Sequence, residues 1–187
     1  IRQTRNKEIF SNSRLIILQH ILSDTAELIN LLSQATAEIF ALIAKPYSID
    51  EEIAKSLEES GINLIRKTYD ELETTNYLTE LIELAIDQSK IDGKKILILE
   101  VGGYFAKPLS QLKTEYLEYI AGVVEDTTFG HNRYRNLLDN INIPVFSVAR
   151  SPLKEIEAVF VGDSAVSAMD QILRETGSTI SSRRALV

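Results

Sequence analysis

Apolar residues fall in short continuous runs separated by stretches in which they recur every three or four positions. The run at 37–44 (Ala-Glu-Ile-Phe-Ala-Leu-Ile-Ala) is closed by Lys45-Pro46 and predicts a buried strand. Ile62 to Ile65 and Pro144 to Ala149 predict two more, and Tyr119 to Val124 another. Lys95 to Val101 (Lys-Ile-Leu-Ile-Leu-Glu-Val) is the strongest strand signal and ends at Gly102-Gly103. Between these lie helical periodicities. Ser23-Asp24 can cap a helix whose inner face is Leu28, Ile29, Leu31 and Leu32. Ser48-Ile-Asp-Glu51 has the form of a capping box, and Gly61 is a natural stop. Thr74 to Gln88 carries Leu78, Leu81, Ile82, Ala85 and Ile86 on one face. His131 to Asn140 predicts a short helix. From Ser164 to Glu175 a longer one is expected to bury Val166, Met169, Ile172 and Leu173. A last strand begins at Arg184.

Continuous apolar strands alternating with amphipathic helices imply a parallel sheet covered on both faces. The expected fold is therefore α/β, a doubly wound, mostly parallel sheet of about five strands. Such sheets bind ligands at the carboxyl ends of their strands. Those ends are Ala44-Lys45, Arg66-Lys67, the 100–103 segment, the 125–128 segment and Ala149-Arg150.

Composition narrows the classes. The 187 residues suit one domain, or one with a piece of a second, and 44% are apolar, enough for a real core. With no cysteine and two histidines, neither a disulfide framework nor a metal centre is expected. The net charge of −7 argues against a nucleic-acid partner. No apolar run reaches the roughly 18 residues of a membrane span, and no signal peptide is visible, so a cytoplasmic location is expected. The first residue is Ile and the last is Val187, and both ends read as cut.

Three constellations sit at the expected strand ends. Gly102-Gly103 suits a loop that lets a ligand approach, or simply a tight turn. Glu125-Asp126-Thr127-Thr128 brings two carboxylates and two hydroxyls out of one strand. It can hold a ribose, or cap the following helix. Lys154 follows Ser151-Pro152, where a solvated lysine is the commoner outcome. His20 lies among apolar residues near the start of a helix, the usual setting of a core histidine. No catalytic triad or phosphate-binding loop is present.

The order of these pieces resembles the S-adenosylhomocysteine hydrolase family. Gly102-Gly103 stands where that family has a DDGGD loop. Gly122 to Gly130 is similar to its GxxEETTTG segment, and Ile143 to Lys154 to the segment that carries its lysine. Gln19 to Ile29 is similar to an early substrate-contacting helix. The resemblance implies a substrate domain over 15–180, an N-terminal extension over 1–14, and at 181–187 the start of an NAD-binding Rossmann domain. It also implies NAD as cofactor, a nucleoside-like ligand and a homo-oligomer. By position, His20, Asp126 and Lys154 take catalytic roles, Thr127 and Thr128 reach NAD, and Gly102, Gly103 and Glu125 line the substrate.

The departures are as specific as the matches. The family's catalytic aspartate is Val101 here, an Asp-Asn pair becomes Ala158-Val159, and an asparagine becomes Ala149. A substrate-binding threonine becomes Leu22, and the third threonine is Phe129. Three readings follow. One is a homologue that has lost the hydrolysis but binds NAD or a nucleoside. The second is an NAD-dependent enzyme acting on another substrate, and the third an oligomeric scaffold without a small ligand.

Overall fold

In the computed structural model, residues 8–181 together with 183 and 184 are described. The expected strand from Arg184 lies almost wholly outside them. The chain divides into two compact units, 1–149 and 150–187.

The first unit is built on six strands: β1 (Ser13–Ile21), β2 (Glu38–Ile49), β3 (Leu64–Arg66), β4 (Lys95–Glu100), β5 (Ile120–Glu125) and β6 (Val145–Ser147). They form one open sheet in the order β3-β2-β1-β4-β5-β6, and each neighbouring pair is parallel. The Rossmann-like α/β class expected from the sequence is what is found, with six strands rather than about five. The added strand is β1, which occupies the centre. Its Leu15 to Leu18 are 0–3% exposed, each worth roughly 1.5–3 kcal/mol of burial.

Because strand side chains alternate, β1 feeds two cores. Ile16 and Leu18 pack with Leu78, Leu81, Ile82 and Ile86 of α4 (Tyr77–Asp92), and with α5 (Ala106–Ser110) and α6 (Thr128–Asn136). Leu15 and Ile17 pack on the opposite face with Ile29 of α1 (Ser23–Gln34) and with Ala54 and Leu57 of α2 (Glu51–Glu59). Both faces are thus covered.

Several local expectations shift. The strand β2 does not end at Lys45-Pro46. A proline cannot donate to the ladder, so the chain bulges there and resumes, pairing Ile49 with Ile21. Tyr47 in the bulge takes a φ of +61° and is 92% exposed. Helix α2 is capped by Asp50, not Ser48, because the Asp50 carboxylate accepts from the N–H groups of Glu52 and Ile53. The capping box lies at Thr68 and Glu71 and opens α3 (Tyr69–Thr74), a short helix not expected from the sequence, while the helix expected over Thr74 to Gln88 is α4, starting at Tyr77. Helix α6 starts at Thr128 rather than His131 because Thr127 caps it.

The second unit consists mainly of α7 (Pro152–Glu175), which starts twelve residues before the expected Ser164 because Pro152 fits a first helical turn. Val166, Met169 and Ile172, expected on a buried face, are 53–62% exposed. Their spacing shows that they share a face, but spacing does not supply the surface that would cover it.

Candidate functional site

The sheet order reverses between β1 and β4: chain growth runs outward through β2 and β3 on one side and through β5 and β6 on the other. Ligands of open parallel sheets bind at the carboxyl ends of strands flanking such a point. Here those ends carry Gln19 and His20 on β1, Glu100 on β4, and Glu125 with Asp126 on β5.

Glu100 and Glu125 are register partners on β4 and β5, and both are 0% exposed. Each is surrounded by donors. Glu125 accepts from the N–H of Gly102 (3.1 Å), Gly103 (2.9 Å) and Thr127 (2.7 Å), and from the Thr127 hydroxyl (2.6 Å). Glu100 accepts from the N–H of Tyr104 (2.6 Å) and Phe105 (3.2 Å), and from the hydroxyl of buried Tyr134. Burial, reinforced by the neighbouring Glu125, pushes the Glu100 carboxyl up to about 8 against the pull of its donors. Tyr134 is raised well above its ordinary value, by burial first and then by Glu100.

Glycine is required at two positions. Gly103 has a φ of +67°, and a Cβ there would lie 2.7 Å from the Gly130 Cα. A Cβ on Gly130 would lie 2.1 Å from the Glu125 carboxyl carbon. The post-β4 loop, the first turn of α6 and the Glu125 carboxylate therefore touch without room for one methyl group.

His20 is the penultimate residue of β1, not a helical residue as the sequence suggested. Its Nδ1 lies 2.7 Å from the Ser48 hydroxyl, and its carbonyl accepts from the Thr25 hydroxyl at 2.5 Å. Burial lowers its pKa, as does the charge of Lys45, while Asp24 and Asp126 pull it back up. The imidazole is therefore neutral at neutral pH, within electrostatic reach of one cation and two carboxylates. A cavity of about 320 Å³ at the strand ends is lined by Gln19, Asp24, Thr25, Leu28, Asp126 and others, and His20 does not line it. A larger cavity of about 460 Å³ lies among Glu73, Asn76, Lys107 and Arg133, and neither His20 nor Asp126 lines it.

The structure brings together His20 and Asp126, and separately Gly102, Gly103, Glu125 and Thr127. The two glycines present their N–H groups to Glu125, so these donors are used within the protein. Thr127 is an N-cap whose hydroxyl accepts from the Gly130 N–H and donates to Glu125. Thr128 is exposed. Lys154 belongs to the second unit, in the first turn of α7, where it pairs with Glu157 at 2.6 Å. Val101 is 2% exposed and its N–H donates to the Leu18 carbonyl. Lys45, Ser48 and Asp24 were not singled out as site residues, although Lys45 stood at an expected strand end. Among the described residues, no group of three His, Cys, Asp or Glu side chains is placed to hold a metal ion. No helix among them is long and apolar enough to cross a membrane.

No family model matches the chain. An adenosylhomocysteinase of Thermotoga maritima is 27% identical over 171 residues, which cover 90% of this chain and 40% of that protein. The chain thus spans less than half the length of that relative, and the likeness supports a distant relationship to the adenosylhomocysteinase family.

Proposed function

We propose that the first unit binds a nucleoside-type ligand at the β1–β4 switch point and does not hydrolyse S-adenosylhomocysteine. One observation carries this reading. Asp24 and Asp126 line a cavity at the strand ends and both act electrostatically on His20, while the residue between Glu100 and the glycine pair is the buried, apolar Val101.

The chemistry follows from the groups. Carboxylates accept hydrogen bonds from ribose hydroxyls, and a neutral imidazole both donates and accepts. Leu28, Leu99 and Val124 add an apolar wall to the cavity, the mixture of surfaces a nucleoside needs. Valine neither takes nor gives a proton, so a reaction that abstracts one at this point has no base there. The distant likeness to adenosylhomocysteinase points to the same ligand class.

The NAD implied by resemblance finds little support in the threonines assigned to it. The Thr127 hydroxyl is committed on both sides, leaving exposed Thr128. Thr127 is held by its own cap and Thr128 is open to a ligand, and no step through NAD follows from them.

A thermal-shift titration with adenosine, S-adenosylhomocysteine and NAD tests the reading, alongside an assay for released adenosine. At 100 times its dissociation constant a ligand stabilises by about 2.7 kcal/mol, which raises Tm by several degrees. The expected result is a shift with adenosine that His20→Ala and Asp126→Ala both abolish, and no turnover. Absence of any shift removes the ligand; robust turnover removes the loss of hydrolysis.

A further inference from the structure

Arg133 of α6 is held in place more firmly than a solvated arginine needs to be. Its Cζ lies 5.0 Å from the Tyr104 ring centroid and 4.6 Å from that of Phe129, and one Nη donates to the Glu73 carboxylate. The backbone supports the same side chain from its root. A Cβ on Gly103 would lie 3.0 Å from the Arg133 Cβ, so the loop that carries Tyr104 is pressed against the base of the arginine. Tyr104 is stacked in turn on Tyr69, with ring centroids 6.5 Å apart and planes 15° apart. A guanidinium offers five N–H donors in a rigid fork. Glu73 takes one of them.

This fixed fork lines the cavity of about 460 Å³, a volume within the range of small-ligand sites. The charged groups of the lining are Lys107 of α5, Arg133 and Glu73, which leaves one positive charge in a chain whose net charge is −7. Asn76, Thr79 and Gln111 add amides and a hydroxyl, groups that bond to hydroxyls. Asn76 stands at the N-cap of α4, yet its side chain does not cap that helix, so its amide is open to the cavity. The Glu73 pairing does not close the site. The two side chains are 41% and 28% exposed, and an ion pair so wet is worth little, so a better placed anion can share the fork or displace Glu73.

We infer that this cavity is a ligand site in its own right, with Arg133 as its anchor, and that it takes a small oxyanion whose body carries hydroxyl groups. The anion meets the edge of the guanidinium, Lys107 adds charge, and the amides receive the hydroxyls. Phosphate and carboxylate heads share this chemistry, because an arginine fork matches the oxygens of either. Holding the fork between two rings before the ligand arrives removes part of the ordering cost of binding. Neither His20 nor Asp126 lines the cavity, so this site stands or falls apart from the nucleoside reading.

Calorimetric titration of the 187-residue chain at low salt, where exposed charges are least screened, tests it with glycerol 3-phosphate and with malate. Heat with only the first assigns the phosphate head, and heat with only the second the carboxylate. Arg133→Lys keeps the charge but loses the fork, and is expected to weaken the binding at least tenfold. Glu73→Gln removes the competing carboxylate and is expected to tighten it about threefold. An Arg133–Glu73 pair that merely ties α6 to α3 predicts no such tightening. Binding of neither probe overturns the site, as does an Arg133→Lys protein that binds like wild type or a Glu73→Gln protein that binds no tighter. If thermal unfolding shows that Arg133→Lys does not fold, Asn76→Ala, at an exposed position, takes its place: a severalfold loss is expected, and unchanged affinity overturns the site.

Discussion

At the scale of single residues, the environment rather than the residue type sets the sign of a change. Gly130→Ala and Gly162→Ala add the same methyl group. At 130 it meets the Glu125 carboxyl carbon at 2.1 Å, so the helix start or the buried carboxylate must move. At 162, inside α7, it meets nothing within 4 Å. We expect Gly130→Ala to cost about 3 kcal/mol and Gly162→Ala to contribute about 0.8 kcal/mol through helix propensity. Chemical denaturation followed by circular dichroism measures both, and effects of equal sign refute the account. His20 gives a second prediction. Lys45 is the largest charge acting to lower its pKa, so Lys45→Met should move the imidazole titration upward. Proton NMR of the ring reads the change directly.

At the scale of elements, Arg14 does the joining. Its side chain is 2% exposed and donates to Glu38 of β2 (2.9 Å), to Asp92 (2.8 Å) and Ser89 (3.0 Å) of α4, and to the Ala85 carbonyl (3.3 Å). Arg14→Ala leaves these acceptors without their common cation and should cost about 3 kcal/mol, measured by urea unfolding. The same residue explains what the sequence concealed. Strand β4 was legible because Ile96 to Leu99 is an unbroken apolar run bounded by Lys95 and Glu100, with Gly102-Gly103 just beyond. Strand β1 has an equal run, Leu15 to Leu18, but an arginine precedes it and Gln19-His20 follow, residues that ordinarily face water. The burial of Arg14 is decided by Glu38 and Asp92, which arrive from elsewhere in the chain. In the candidate site, the strand ends and the glycine pair were readable. That Glu125 serves the loop instead of facing a ligand was not, because its donors at Gly102 and Gly103 lie more than twenty residues away. The apolar spacing of α7 was also legible, while its exposure was not.

At the scale of the molecule, the titrations add up to a stability profile. Glu100 is raised to about 8 when folded, against an ordinary 4.5. The unfolded chain therefore releases this proton first, and stability falls as pH rises from about 4.5 to about 8. Over that window the loss is on the order of 5 kcal/mol, and Glu100→Gln should abolish it. Glu38 and Asp92 work in the opposite direction. Glu38 is held low by Arg14 and Lys94, and Asp92 by the Lys94 N–H and then Arg14. What they contribute is present above their ordinary values and is lost as pH falls through the depressed ones. Thermal unfolding should thus show a maximum at about pH 4.5 to 5, and a maximum above neutrality contradicts the assignment. The sheet itself carries one more consequence. Its two outermost strands, β3 and β6, are three residues each. A margin that short offers an incoming chain only a few free backbone groups, too few to template edge-to-edge polymerisation. Copies of this chain that meet must therefore recognise each other through side chains, and growth of one continuous sheet from molecule to molecule is closed to them.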